Sequence, residues 1–305
     1  MSSIHFLSRR GFFGVSAAVA GTLTAPSLLA AESRKKLVLL AGRPSHGPME
    51  HEFNAGILLL KKCLARVSGL EVVHHRNGWP DSEKAFEGAS GILLYADGGG
   101  GHPFIQDGRL SIVGDLMSRG VGLMCAHFAV EVPKDRGGKQ FQDWIGGYYE
   151  HQWSCNPMWT PEFSDLPKHP ITHGVKPFSI RDEWYFNMRF RPVSKDIKPI
   201  LAAKPSDTVR DGPYVYPRGP YAHIQKAKGR TETMMWAVER KDGGRGVGFT
   251  GGHFHHNWKD DNFRKVVLNA AVWICKADVP KDGVPSTVSE GEIKENLDPK
   301  GRKKK

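Results

Sequence analysis

The stretch Gly246–Trp258, GVGFTGGHFHHNW, joins a short apolar strand pattern to two glycines and then to three histidines within four positions. After it, residues Asp261–Lys276 carry apolar side chains on one side of a predicted helix. A strand, a glycine turn and a helix in this order are typical of the units that build parallel α/β sheets. Imidazole binds metals and moves protons near neutral pH, so these histidines also indicate a functional site. The alternative is a solvated loop, since a chain with 14 histidines has some neighbours by chance.

The same alternation of strands and helices extends outward from this stretch through most of the chain. Apolar runs of strand length predict the strands Lys35–Ala41, Leu70–His74, Gly91–Tyr95, Val121–Cys125, Pro199–Ala203, Thr233–Glu239 and Arg245–Thr250. Helical spacing predicts two further helices at Met49–Ser68 and Leu110–Ser118. The pattern therefore predicts an α/β fold with a mainly parallel central sheet. The middle of the chain, residues 135–230, is richer in proline and aromatic residues and is expected to form a pocket wall.

Composition places the chain among ordinary globular proteins, with 25% charged and 39% hydrophobic residues. The net charge is +11, but the first 31 residues contribute two positive charges and residues 300–305 contribute five, which leaves four for the rest. No internal stripe of basic residues with interleaved aromatics is present, so nucleic acid is not an expected partner.

The N-terminus has the pattern of an export signal. Ser8–Phe13, SRRGFF, is a twin-arginine motif followed by a weakly apolar stretch up to Leu29, which predicts a signal peptide over residues 1–31 and a periplasmic protein. Cleavage near Ala31 would leave leucine at the −3 position, so an uncleaved membrane anchor is the alternative. No other segment is long and apolar enough to span a membrane. The polar residues 278–305 are predicted to form a disordered tail.

Polar and glycine-rich residues follow several of the predicted strands, where ligands bind in open parallel sheets. His46 follows the first strand, Asp97–His102 (DGGGGH) the third, His127 the fourth, and His253 the strand before the last helix. We expect these segments to form one crevice. Candidate metal ligands are His46, His127, His151 and His253, with zinc as the favoured ion. Asp97, Gly99 and His102 are candidate substrate contacts, and the absence of a Walker or GxGxxG motif argues against a nucleotide cofactor.

The segment Leu123–Ala129, LMCAHFA, has the outline of a nucleophile elbow, a sharp turn from a strand into a helix. We place His127 at its tip, projecting into the crevice and partly accessible, in a metal-binding or acid–base role. The alternative makes Cys125 the nucleophile of a cysteine–histidine enzyme, although a thiol inside a strand is usually inert.

The segment Asp182–Phe186, DEWYF, combines carboxylates with aromatic rings, as sugar-binding sites do. Glu183 or Glu50 is the candidate general base, and Tyr185 is a further catalytic candidate. Asp182, Trp153 and Trp258 are candidate substrate contacts. The alternative is a strand with its aromatic residues inside and its acids outside. Helix initiation alone accounts for Glu50 and for the neighbouring His51.

Several motifs together resemble the ThuA-like (trehalose-utilisation) family over roughly residues 36–277. They are GVGLMCAHFA, GGYYEHQW, HPITHGV followed by IRDEWY, and GRGVGFTGGHFHHNWKDDNFRKVVLNAAVWI. The resemblance implies a flavodoxin-like, class I glutamine amidotransferase-like three-layer sandwich in which His127 replaces the usual cysteine. It also implies a role in carbohydrate metabolism, alongside a partner sugar dehydrogenase. Cys125 stands where a glycine is more common, and His255 and His256 are additional.

These observations predict an exported, metal-assisted hydrolase or lyase that acts on a sugar or keto-sugar. Two alternatives remain open: a non-catalytic sugar-binding protein, and a cysteine–histidine amidotransferase that uses Cys125.

Overall fold

The computed structural model describes residues 34–192 and 195–301. The signal peptide predicted over residues 1–31 and the last four residues of the basic tail lie outside the described residues. Within the described part of the chain, no helix has the length and apolar character needed to cross a membrane.

The strands form one large sheet and three small two-stranded ladders. In chain order they are β1 (Lys35–Ala41), β2 (Leu70–His75), β3 (Ala89–Tyr95), β4 (Gly122–Ala126), β5 (Gly147–Tyr148), β6 (Met158–Trp159), β7 (Glu162–Phe163), β8 (Phe178–Ser179), β9 (Asp182–Glu183), β10 (Arg189–Phe190), β11 (Lys198–Ala203), β12 (Glu232–Glu239) and β13 (Arg245–Phe249). The large sheet has seven strands in the order β11-β12-β13-β4-β3-β1-β2. Its neighbours from β13 to β2 are parallel, whereas β11 and β12 run antiparallel. The small ladders join β5 to β10, β6 to β9 and β7 to β8.

Helices cover both faces of the large sheet. The α-helices are α1 (Phe53–Leu64), α2 (Arg109–Ser118), α3 (Lys139–Trp144), α4 (Asp207–Asp211), α5 (Ala222–Gln225), α6 (Asp261–Ile274) and α7 (Glu290–Ile293). Short 3₁₀ turns lie at Glu83–Phe86, Gly99–Gly101, Pro103–Ile105, His127–Val130, Pro170–Thr172 and His255–Lys259, and a π-helical turn at Lys134–Gly138.

Alternation along β1 divides the core into two layers. Leu37 and Leu39 pack in a core that includes residues of α1 and α6, whereas Val38 and Leu40 pack in a second core with residues of α2 and α3. Successive side chains of a strand point to opposite faces, so a strand covered on both sides is apolar throughout. The structure confirms the predicted mainly parallel α/β fold with three layers.

The first helix begins later than its sequence pattern predicts. The pattern starts at Met49, but Met49 and His51 both have left-handed backbone, with φ of 63° and 47°, and α1 begins only at Phe53. Left-handed residues cannot belong to a right-handed helix, so the chain turns before α1 starts. This turn carries His51 to the carboxyl end of the sheet.

The C-terminal segment packs against the domain, and the prediction that the tail is disordered from residue 278 is wrong for residues 278–301. Val284 and Ile293 are buried there, and a capping box of Ser289 and Glu292 starts α7. Lys300 forms an ion pair with the buried Glu52 at 3.3 Å. A few buried apolar residues and one ion pair hold this segment against the domain. Its mainly polar composition therefore led to the wrong prediction of disorder.

Candidate functional site

Four buried side chains converge at the carboxyl end of the sheet: His51, His127, Glu183 and His253, which we call the histidine–glutamate cluster. His51 Nε2 lies 3.0 Å from both His127 Nε2 and His253 Nδ1. Glu183 Oε2 lies 2.9 Å from His253 Nδ1 and 3.8 Å from His127 Nε2. Three ring nitrogens and one carboxylate oxygen therefore face a common point.

A sharp turn at the end of β4 presents His127. The strand ends at Ala126, and His127 has left-handed backbone with φ of 55°. Such a conformation costs on the order of 1–3 kcal/mol for a residue other than glycine, and it persists only where the surroundings impose it. The structure thus contains the predicted elbow. The expected accessibility is wrong, because His127 is fully buried beneath Tyr185, His51 and His253.

Hydrogen bonds on the outer side of two rings determine which nitrogen of each ring faces the cluster. His127 Nδ1 lies 3.0 Å from the carbonyl oxygen of Thr250, and His51 Nδ1 lies 2.8 Å from Asp97 Oδ1. Both oxygens accept hydrogen bonds, so the Nδ1 atoms act as donors and the Nε2 atoms of the two rings face each other inside the cluster. Burial, and then the proximity of His51 and His253, holds the pKa of His127 well below its ordinary value. His127 is therefore neutral at neutral pH.

Asp182 orders the turn that carries His253. Its carboxylate accepts hydrogen bonds from the backbone N–H groups of Gly252 and His253, at 2.9 and 3.0 Å, and from the side chain of Asn257 at 2.9 Å. Gly252 has φ of 113°, which favours glycine. The strand alternative placed the acids of DEWYF outside, but Asp182 and Glu183 are both buried. Asp182 has a structural role rather than the predicted contact with substrate.

Glu183 is the acidic member of the cluster. Its Oε1 accepts a hydrogen bond from Asn156 at 2.8 Å, which leaves Oε2 facing the histidines. Burial raises the pKa of Glu183, while the hydrogen bond and charge of His253 oppose that rise. The hydroxyl of Tyr185 lies 3.2 Å from His127 Nε2, so this predicted catalytic residue also borders the cluster.

The side of the cluster nearest solvent is formed by His46, Asp97 and Glu50. The ring of His46 stacks on His51 with centroids 3.5 Å apart, and Glu50 Oε1 lies 3.9 Å from His253 Nε2. His46, His51 and Asp97 also form a second group with metal-ligand atoms near one another. Stacked rings direct their in-plane lone pairs along parallel planes, so this group is a poor fit for one ion. Gly99, in the same region, has φ of 61° and donates its N–H to Glu131 O.

Three residues predicted for the site lie in other surroundings. His151 is exposed and its ring contacts that of Tyr216, so it is not part of the cluster. The Trp153 ring is sandwiched between the guanidinium of Arg189, at 3.6 Å, and the ring of His223, at 4.8 Å. Trp258 is buried in the core. Both faces of one indole and all of the other are covered, which removes them as sugar-stacking surfaces.

His102 is structural as well. Its Nδ1 accepts the N–H of Phe104 at 3.1 Å, and its Nε2 donates to Ala129 O at 3.0 Å. Burial lowers the pKa of His102 to about 4. A neutral, fully paired ring of this kind stabilises the loop rather than contacting substrate.

Sequence reasoning missed His51, whose Nε2 lies 3.0 Å from both of the other cluster histidines. Helix initiation accounts for a histidine at position 51, so this position alone gives no reason to place His51 in a functional site. The available signal was its place in the same loop as His46, directly beyond β1 and therefore at the ligand-binding edge of the sheet.

Cys125 is not placed to act as a nucleophile. It lies within β4, is fully buried in the core that includes α2, and burial raises the pKa of its thiol. A protonated, inaccessible thiol is unreactive. The geometry therefore disfavours the cysteine–histidine amidotransferase alternative.

Comparisons with known proteins agree with the sequence resemblance. A ThuA-like protein from Bacteroides uniformis is similar in structure, with a TM-score of 0.57, 15% identity, and coverage of 83% of this chain and 96% of that one. A ThuA-like protein from Parabacteroides merdae gives a TM-score of 0.56 at 16% identity, with coverage of 86% and 99%. At such identities the likeness shows the fold alone. No curated protein sequence matches the chain significantly.

The family model described as ThuA, trehalose utilisation, matches residues 50–274. This span contains all four members of the histidine–glutamate cluster and most of the chain. The chain therefore belongs to the ThuA family, whose description links it to carbohydrate metabolism.

Proposed function

We propose that this protein is a metal-dependent enzyme that acts on a sugar or keto-sugar as a hydrolase or lyase. The observation that carries the proposal is the convergence of His51 Nε2, His127 Nε2, His253 Nδ1 and Glu183 Oε2 in a buried site. The family description supports a carbohydrate as the substrate.

The donor set fits a divalent transition metal, most closely zinc. Zinc takes nitrogen and carboxylate ligands at about 2.0–2.2 Å, so neighbouring ligand atoms of a tetrahedral site lie roughly 3.3 Å apart. The separations of 2.9, 3.0, 3.0 and 3.8 Å between neighbouring atoms of the cluster bracket that value. The Nε2 atoms of His51 and His127 lie 3.0 Å apart, so both could bind one ion placed between them and Glu183.

The surrounding residues divide the remaining tasks. A bound ion supplies Lewis-acid polarisation of a substrate oxygen. Asp97 and the Thr250 carbonyl hold the rings of His51 and His127 in their ligand orientation. Because Glu183 belongs to the ligand set, Glu50 is the stronger candidate for the general base. The Tyr185 hydroxyl can donate to a developing negative charge beside His127.

The proposal is tested by metal analysis joined to a turnover assay. Protein purified without chelator should contain about one zinc per chain, and chelation should abolish conversion of trehalose-derived keto-sugars until zinc is returned. The variant His127→Asn should lose both the metal and turnover, whereas His151→Asn, outside the cluster, should keep both. A folded native protein that binds no divalent metal at micromolar concentration would refute the proposal. Sugar binding without any product would instead favour the non-catalytic alternative.

We also propose that the protein is exported through its twin-arginine motif and works beside a dehydrogenase that supplies the keto-sugar. The motif at Ser8–Phe13 supports export, because twin-arginine substrates cross the membrane already folded. Fractionation of cells that express the full chain, with Arg9→Lys and Arg10→Lys as the control, tests the location.

A further inference from the structure

A cavity of about 460 Å³ opens beside the histidine–glutamate cluster, at the carboxyl ends of β1, β2 and β3. It lies at the point where the strand order reverses, since β1 pairs with β2 on one side and with β3 on the other. Ligands of open α/β sheets bind at such switch points, and small-molecule pockets have volumes of roughly 300–1,000 Å³. The side chains that give the cavity its chemistry are Arg43, Asn77, Trp79, Asp97, Gln106 and Arg109.

Trp79 supplies the cavity with an aromatic surface that is held in place. Its ring packs against Phe86 and Phe104, at centroid distances of 5.0 and 5.9 Å, and the Arg109 guanidinium lies 5.3 Å from its centre. Trp79 and Trp153 are both half-buried, whereas Trp258 is buried. Of these three tryptophans, Trp79 alone lines this cavity.

Planar polar groups complete the lining. Gln106 donates its amide N–H groups to Gly100 O and His102 O, at 2.8 and 3.1 Å, which holds the side chain in place and leaves Oε1 as an acceptor. Asn77 accepts a hydrogen bond from Asn54 at 2.8 Å, which fixes its amide plane. Fixed amides and an aromatic surface suit the hydroxyl groups and apolar face of a sugar ring.

The charges that line the cavity balance. Arg43 and Arg109 contribute two positive charges, and Asp97 and Asp107 contribute two negative charges. Arg109 is already paired with Asp107 at 2.8 Å. A balanced lining offers no net attraction to a phosphate or carboxylate, so the chemistry favours an uncharged ligand.

Asp97 connects the cavity to the cluster. Its carboxylate lines the cavity and accepts a hydrogen bond from His51 Nδ1, while the opposite nitrogen of that ring faces the other cluster members. A molecule that contacts Asp97 in the cavity is therefore separated from the Nε2 atom of His51 only by the ring of His51. A ring held here would leave a linked portion of the same molecule within reach of the cluster.

We propose that this cavity is the subsite for an uncharged pyranose ring, and that it holds the ring through Trp79 and Gln106 without needing the metal. The proposal rests on the proposed function for its choice of sugar as ligand, but it assigns the binding to residues outside the histidine–glutamate cluster. The proposal assigns the two tasks to different places: the cavity binds the sugar ring, and the reaction takes place at the histidine–glutamate cluster.

The test is calorimetry with glucose and trehalose on native protein, with and without chelator. We expect saturable binding that survives chelation. Trp79→Ala and Gln106→Ala should each weaken it by roughly tenfold, the effect of one well-packed contact. Trp153→Ala is the matched control and should leave binding unchanged. Gluconate and glucose 6-phosphate serve as anionic probes and should bind less tightly than glucose.

Each outcome decides the proposal. Absence of glucose and trehalose binding to native protein, tighter binding of the anionic probes, or unchanged binding in both Trp79→Ala and Gln106→Ala overturns it. Gln106→Ala removes a half-buried amide and its two hydrogen bonds to Gly100 and His102, but no core packing, so it guards against a folding defect in Trp79→Ala. If the chain binds no metal but binds glucose through Trp79, the proposed function fails and the subsite stands. If zinc-dependent turnover occurs with an unchanged KM in both variants, the subsite alone fails.

Discussion

Asp97 allows a graded test of how the cluster is held, because it contacts His51 from the side opposite the proposed metal. Its Oδ1 accepts a hydrogen bond from His51 Nδ1 at 2.8 Å. Removing a carboxylate that orients a metal-bound histidine typically costs 10–100-fold in metal affinity. We expect Asp97→Asn, which keeps an acceptor but loses the charge, to weaken zinc binding by about tenfold, and Asp97→Ala to weaken it by about 100-fold. These losses correspond to about 1.4 and 2.7 kcal/mol.

The assay for Asp97 is competition for zinc against a chromophoric chelator at fixed pH, with urea unfolding of the metal-free protein measured in parallel. The Asp97 side chain is about one-third exposed, so its loss should change the free energy of unfolding by no more than about 1 kcal/mol. Asp115→Asn, at an exposed position of α2, is the matched control. Equal zinc affinity in native protein and in Asp97→Ala would refute the assigned orientation of His51.

Three further predictions concern acid stability, the C-terminal segment and the buried thiol. Burial holds the pKa of His102 at about 4, below the ordinary 6.5, so stability present above pH 6.5 is lost as the pH falls toward 4, by up to roughly 3 kcal/mol; His102→Asn should flatten this part of a pH series of unfolding curves. Lys300→Met removes the ion-pair partner of the buried Glu52, which keeps hydrogen bonds from the backbone N–H groups of Met49 and Asp298, and it frees the carbonyls of Glu50 and His51. It should lower the free energy of unfolding by about 1–3 kcal/mol and weaken zinc binding, whereas the exposed Lys294→Met should do neither. Cys125→Ala should retain turnover, because burial keeps the thiol protonated and inaccessible; a variant without turnover in the same assay would instead support Cys125 as the nucleophile.

Much of the fold was predictable because the strands of a parallel sheet are apolar on both faces. The run Lys35–Ala41 is identical in the prediction and the structure, and α6 begins at the predicted Asp261. The start of α1 was not predictable from spacing, since the left-handed backbone of Met49 and His51 depends on long-range contacts such as the hydrogen bond from His51 N to His253 O. The order of residues 278–301 escaped prediction for a similar reason, because the Lys300–Glu52 pair joins distant parts of the chain.

The location of the candidate site was predictable from the sequence, but the identity of its residues was predictable only in part. His127 and His253 each follow a sheet strand, and strand ends meet at one edge of the sheet. The sequence predicts Glu183 as a base, whereas its burial beside His253 gives it the place of a fourth ligand in the proposed metal site. His151 and Trp153 lie on connections whose paths no periodicity specifies, and the charge balance and aromatic surface of the cavity around Trp79 arise only once four separate loops meet.

The most direct measurement of the central claim is the anomalous diffraction of a zinc-loaded crystal, recorded on both sides of the zinc absorption edge. We expect one strong peak within about 2.0–2.3 Å of His51 Nε2, His127 Nε2, His253 Nδ1 and Glu183 Oε2. A crystal soaked at millimolar zinc that shows no peak among these four atoms, or a peak held by His46 and Asp97 instead, would contradict the account.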